Sequence, residues 1–192
     1  MTTPQSSSSE RLIHRGRKFD FAVVTTPGRS GRPIEREVVR HPGAVLIVPL
    51  LSVEDEQHII LIRQHRVAPG LPMLELPAGT LERGENPFGC AARELEEETG
   101  YRAATVTSLG RFYTSPGLSD ELMHAFVGAD LIHVGQSLED DEEIEVVQLP
   151  VRSLGSLIAS GDLLDGKSLT GLALAVHRGV LPPSVLETEN PH

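Results

Sequence analysis

Between Gly79 and Tyr101 the chain reads GTLERGENPFGCAARELEEETGY, a stretch dense in carboxylates at fixed offsets. Gly79 is followed after five residues by Glu85, and Glu85 after seven by Arg93-Glu94-Leu95. Glu97-Glu98 and Gly100 then follow, each after a single-residue gap. With each identity at roughly the 7% usage of glycine, the seven that follow Gly79 coincide by chance at about 10⁻⁸ for any given starting glycine. Asn86 is a good N-cap, Pro87 suits the first helical position and Gly100 suits a C′ stop, so a helix is predicted from Pro87 to Glu98 or Thr99. At about 100° per residue, Phe88, Ala92, Leu95 and Thr99 form one stripe. Glu94, Glu97 and Glu98 share the opposite side, while Glu96 is rotated away from them. Like charges at these spacings cost about 0.2–0.5 kcal/mol per pair on an isolated helix. A hard divalent cation, which takes oxygen ligands, reverses that sign. Glu85, on the preceding loop, can fold back onto the same region, and Arg93 is expected to brace it by pairing with one of these glutamates, Glu85 first. A glutamate-rich helix face is otherwise just solvated surface; it is Gly79, Glu85 and Gly100 at set distances that argue against that reading here.

With every position present, this segment resembles the signature of the Nudix hydrolases, which hydrolyse nucleoside diphosphates linked to another moiety using Mg²⁺ or Mn²⁺. The resemblance implies that Glu94, Glu97 and Glu98 are metal ligands, with the Ala78 carbonyl as a further one. It also implies supporting roles for Glu85 and Arg93 and a catalytic part for Glu97. Tyr101 replaces the commoner aliphatic residue in the last position, a change that bears on packing more than on chemistry. The segment covers about an eighth of the chain and speaks to reaction type better than to substrate.

Flanking it, IRQHRVAPGLPMLELPAG (Ile62 to Gly79) and FYTSPGLSDE (Phe112 to Glu121) look like the ADP-ribose pyrophosphatase branch of that family. That likeness makes Arg66, Glu75 and the turn Ser115-Pro116-Gly117 substrate-binding. His65 stands where a tyrosine is commoner. On physical grounds Arg66 offers a planar fork of donors to phosphate oxygens, and a Ser-Pro-Gly turn makes a rigid loop edge. In the resembling branch, a loop glutamate ahead of a strand serves as general base or extra ligand. Register against Ile144-Glu145-Val146 favours Glu142 within the run Glu139 to Glu143, with Glu139 and Glu143 as alternatives. The implied reaction is hydrolysis of ADP-ribose to AMP and ribose 5-phosphate. The alternatives are another nucleotide sugar such as GDP-mannose, or a sensor that binds without cleaving; a sensor would be expected to have lost some of these carboxylates.

A formal charge of −10 argues against polyanion binding, which needs basic patches. It also means that an acidic site holds a diphosphate only with cations between them. The eight histidines form no paired zinc spacing, and carboxylate oxygens favour Mg²⁺ or Mn²⁺. No apolar run approaches the roughly 18 residues that cross a bilayer. MTTPQSSSSE lacks an apolar core and reads as a disordered tail over 1–10, not an export signal. The one cysteine, Cys90, rules out an intrachain disulfide and fits a reducing cytoplasm.

To position this chemistry, alternation around Phe19–Val23 and Val38-Val39 predicts a small antiparallel sheet over 11–42. The 43–192 region is expected to form the catalytic domain. Ala44–Leu51 reads as a strand buried on both faces, and Ile59–Ile62, Leu122–Val127 and Ile144–Leu149 as further strands. Val151, Leu154, Leu157 and Ile158 recur at helical spacing, and Ser168–Arg178 reads as a second helix with Ser168 near its cap. The class is α/β. Resemblance specifies the Nudix-type α/β/α sandwich with a mixed sheet, and an N-terminal sheet exchanged in a homodimer. A three-strand appendage with little core of its own does need a partner surface.

Overall fold

The computed structural model describes residues 8–138 and 142–187. Residues 1–7 of the expected tail, and Glu139 of the acidic run, lie outside the described residues. The chain opens with an antiparallel sheet of β1 (Ser9–Arg15), β2 (Asp20–Pro27) and β3 (Pro33–Arg40), in that order. Ser9 and Glu10, within the expected tail, are already paired to Thr25 and Val24.

A seven-stranded mixed sheet follows. Its path runs β10 (Ile144–Pro150), β5 (Glu56–Arg66), β4 (Ala44–Val53), β9 (Leu122–His133) and β8 (Tyr101–Tyr113). The short β6 (Leu71–Glu75) pairs with β5, and β7 (Ala78–Thr80) with β4. β4 and β9 run parallel, Ala44 opposite Met123 through Pro49 opposite Gly128, and the other pairs are antiparallel.

The apolar run of β4 is buried on both faces, as its lack of alternation predicts. Leu46 and Val48 pack with Leu61, Leu154 and Leu172 on the side of α2 (Leu154–Ser160) and α3 (Gly166–His177). Val45 and Ile47 pack with Ile60, Ala91 and Leu95 on the side of α1 (Pro87–Thr99). Helices on both faces of one sheet give the α/β/α sandwich.

Helix α1 has the expected bounds. Asn86 accepts from the Phe88 N–H at 2.8 Å, and Gly100 stops the helix in the left-handed region at φ 72°. Its buried face differs from the expected stripe: Phe88 is 51% exposed, edge-on to Phe126, whereas Cys90, Ala91, Leu95 and Glu98 are buried. The reason is tertiary. Besides the sheet, α1 packs against β7 and the loop beyond it, so a second side of the helix is covered. Helix α3 starts at Gly166, two residues ahead of the expected Ser168, because the cap is Asp165, which accepts from the Ser168 N–H at 3.0 Å. The thirteen residues of β8 carry no periodicity that foretold a strand; the pairing with β9 makes them one.

The small sheet is fastened to the large one through β3. Val39 N–H donates to Leu118 O at 2.9 Å, Asp120 N–H to Val39 O at 3.2 Å, and Arg40 Nη1 meets Asp120 at 3.0 Å.

Among the described glycines at positive φ, Gly100 is the most closely hemmed in: a Cβ there would lie 2.8 Å from Gln136 N and Gly135 C. Gly100→Ala is therefore expected to destabilise the protein by more than about 1 kcal/mol, read as a lower urea midpoint at unchanged slope. A midpoint equal to that of the parent would refute the account.

Candidate functional site

Where β7 and the C-terminal half of α1 meet the end of β5, the chain forms a cleft of about 950 Å³. One wall carries Glu94, Glu97 and Glu98 from α1, with Ala78 and Gly79 from β7. Arg66 and Gln64 come from the end of β5, and Glu142 from the loop before β10. The opposite wall is built by the β1–β2 turn, Arg15 to Asp20, and by Arg40, His41 and Pro42 after β3.

Arg93 organises the acidic wall. Its Nε and Nη2 hold Glu85 bidentately at 3.0 and 3.1 Å, while its Nη1 lies 2.9 Å from Glu94 and 2.8 Å from Glu97. The expected Arg93–Glu85 brace is thus formed, and one guanidinium serves three carboxylates. Hydrogen bonding from Arg93 pulls the Glu85 carboxyl down to about 2; burial opposes this, and the Glu82 N–H at 2.9 Å assists it.

The other acids respond to burial. Glu98, 4% exposed, is pushed up to about 8 chiefly by desolvation, although it accepts from the Ala78 N–H at 2.9 Å. Burial also raises Glu94 to about 7 against the pull of Arg93, with Glu97 and Glu142 adding to the rise. Part of this side of α1 is covered by β7, in keeping with the argument against a merely solvated face. Gly79 is needed there because a Cβ would run into the Glu94 carboxylate. Cys90 faces Thr80 O, and burial raises its thiol to about 12, which leaves it inert, as expected.

Among the described residues, no three His, Cys, Asp or Glu side chains stand at metal-ligating spacing. The geometry explains why: Arg93 Nη1 sits between Glu94 and Glu97, and Glu98 is turned to the Ala78 N–H. The donors nonetheless suit a hard cation. They are carboxylate oxygens, two of them held at raised pKa by burial, and a bound cation relieves that burial by replacing protons.

The remaining expected residues separate. Arg66 lines the cleft, whereas Glu75 lies behind it, 1% exposed, binding Arg66 Nε at 2.8 Å and Nη2 at 2.6 Å. Ser115, Pro116 and Gly117 form an exposed turn outside the cleft lining, on the segment that holds β3. Glu142 lines the cleft; Glu143 is described and exposed.

Several cleft residues had no sequence signal. Phe19 is 52% exposed and stacks on His41, ring centroids 6.3 Å apart and 29° between planes. Arg17 and Lys18 flank it. Gln64 Nε2 is buried without a hydrogen-bond partner among the described residues. With only five phenylalanines and no tryptophan, nothing in the sequence singled out Phe19.

Comparison with known proteins agrees with this geometry. The NUDIX domain matches residues 40–169. The chain is 37% identical to an ADP-ribose pyrophosphatase of Bacillus subtilis (strain 168), over 85% of this chain and 88% of that one. It is 36% identical to an ADP-ribose pyrophosphatase of Mycobacterium tuberculosis, over 94% and 88%. A GDP-mannose pyrophosphatase of Yersinia enterocolitica is 34% identical over 85% and 88%. In fold, a solved structure titled "Crystal structure of ADP compounds hydrolase" superposes with a TM-score of 0.77 at 24% identity, covering 93% of this chain and 96% of the other.

The raised carboxyls give a pH test. Unfolded, Glu98 titrates near 4.5; folded without metal, it keeps its proton to about 8. Between those values the folded state binds more protons, so the contribution of Glu98 to stability falls as pH rises. In EDTA, wild-type protein should lose stability relative to Glu98→Gln from pH 5 to pH 8.5, and Mg²⁺ should restore wild type more at pH 8.5 than at pH 5. Parallel pH profiles for the two proteins in urea melts would refute the shift.

Proposed function

The chain belongs to the Nudix hydrolase family, and we propose that it hydrolyses the diphosphate bond of ADP-ribose to AMP and ribose 5-phosphate. One observation carries this: a partly buried carboxylate cluster, braced by Arg93, in a cleft that also holds Arg66 and a half-exposed aromatic ring.

Nudix hydrolases generally depend on a divalent metal. In this protein Glu94, Glu97 and Glu98, with the Ala78 carbonyl, would hold Mg²⁺, or Mn²⁺ in its place. The ion supplies positive charge against the diphosphate and lowers the pKa of a bound water. Arg93 keeps Glu85 by two N–H groups but touches Glu94 and Glu97 through Nη1 alone, so those two carboxylates are the exchangeable partners. Glu142, which lines the cleft from the loop before β10, takes the proton of the attacking water or positions that water. As the new P–O bond forms, the bridging P–O bond breaks, and the leaving phosphate stays neutralised by Arg66. The stacked pair Phe19 and His41 offers a face for the base, and the buried Gln64 amide an unused hydrogen bond for the substrate.

Phe19 reads a base only by its flat face, so a second nucleotide sugar, GDP-mannose, is the alternative substrate; relatives carrying that name support it. A binding-only sensor is disfavoured because every box carboxylate is present. The exposed Leu12, Ile13 and Ile34 of the small sheet support a homodimer. A cytoplasmic enzyme that binds no nucleic acid completes the proposal; among the described residues no helix is long and apolar enough to cross a membrane.

The deciding assay incubates the protein with Mg²⁺ and a panel of nucleotide sugars and measures mononucleotide release. Fastest release of AMP from ADP-ribose supports the proposal, GMP from GDP-mannose the alternative, and binding without release of either overturns both. Glu98→Gln should cut turnover by roughly 100-fold or more with an unchanged circular-dichroism spectrum; near-normal turnover would take Glu98 out of the mechanism.

A further inference from the structure

Behind Arg66, on the side away from the cleft, four charges close on one another. Glu75, 1% exposed, accepts from Arg66 Nε and Nη2 at 2.8 and 2.6 Å, and also from Lys167 Nζ. Lys167 Nζ donates in turn to Asp165 Oδ2 at 2.8 Å. Asp165 is the cap of α3, and Ser168, fully buried, donates to it through N–H and Oγ at 3.0 and 2.5 Å. The same Ser168 Oγ accepts from the Leu76 N–H at 2.7 Å. The peptide next to Glu75 is therefore tied to the first turn of α3, and two acids face two bases.

A buried carboxylate needs compensation wherever it sits. If Arg66 alone supplied it, the Arg66 charge would be neutralised from behind and its field in the cleft reduced. We infer that Lys167 is a positioning residue for the substrate: it shares the charge of Glu75, and so leaves more of the positive charge of Arg66 directed at the diphosphate. Lys167 is not among the residues lining the cleft, so it acts only through Glu75. Arg66 is held edge-on by Nε and Nη2, and its remaining N–H groups are left for phosphate oxygens. The inference rests on diphosphate hydrolysis as the activity of this site.

Because Arg66 grips the diphosphate before and during the reaction alike, loss of its charge is expected in KM and not in kcat. The experiment compares wild type with Lys167→Met, Lys167→Gln and Lys167→Arg, by steady-state kinetics on ADP-ribose with Mg²⁺ and by calorimetric titration with ADP. The expected result is a KM raised about tenfold in the Met variant, with kcat within about threefold and with near-complete rescue by Arg, in line with a hydrogen bond between charged groups. If the Met variant does not fold, the Gln variant is read in its place. A lowered melting temperature with unchanged KM, or no rescue by Arg, overturns the inference and makes Lys167 a structural tie. If wild type cleaves none of the sugars, the proposed activity fails separately; ADP affinity then decides, weakened in the Met variant and restored in the Arg variant supporting the inference, and equal across all four overturning it.

Discussion

Negative charge held where water cannot fully solvate it is the constraint around which the site is built. Glu85, Glu94, Glu97 and Glu98 crowd one end of α1, and the guanidinium of Arg93 is the cation lodged among them. Two unit charges about 4 Å apart interact by about 4 kcal/mol at an effective dielectric of 20. On a solvated helix a like-charge pair costs only about a tenth of that. Burial therefore makes these charges costly, first by removing water from them and then by strengthening their mutual repulsion, and the carboxyls of Glu94 and Glu98 are raised in that order of causes. Protons relieve it in the metal-free protein. A divalent cation relieves it better, because it brings two charges and accepts several oxygens at once.

The fold holds this unfavourable arrangement by fixing the backbone around it. β4 is buried on both faces and anchors β7, whose Ala78 N–H binds Glu98 and whose Gly79 leaves room for Glu94. At the C-terminal end of α1, the Gly100 carbonyl accepts from Val134 and Gly135, and Gln136 Nε2 donates to Glu98 O at 2.7 Å. The helix cannot slide or rotate to separate its acids without breaking these contacts. The opposite wall has the complementary sign: the β1–β2 turn places Arg15, Arg17 and Lys18 at the mouth of the cleft of a protein with net charge −10. A local positive field there concentrates an anionic substrate against the overall repulsion.

What could be read from the sequence was what local spacing controls. Asn86, Pro87 and Gly100 marked both ends of α1, and the Arg93–Glu85 brace followed from one loop and two helical turns. The unbroken apolar run of β4 announced a strand covered on both faces. β8 escaped notice because an edge strand paired on one side needs little apolar alternation, and its partner β9 supplies the order. The burial of Glu98 could not be seen either, since α1 in isolation presents that residue on its polar side. Only β7, folded over it, changes the environment. The face expected to be apolar was misjudged at Phe88 for the same reason.

The pairings that position the cleft residues were the least legible because they join segments far apart in the chain. Lys167 meets Glu75 across 92 residues, and Asp120 meets Arg40 across 80, so neither pairing leaves a pattern in any short window. The turn at Ser115–Gly117 illustrates the consequence. It lies outside the cleft lining and continues into the strand-like contact at Val39, next to Arg40 and His41, which do line the cleft. The carboxylate cluster is set within one helix and its preceding loop, and relatives named for different nucleotide sugars match this chain over most of its length. The wall that the small sheet builds, with Phe19 and its neighbouring cations, is set instead by contacts between distant segments, which no short window of sequence controls.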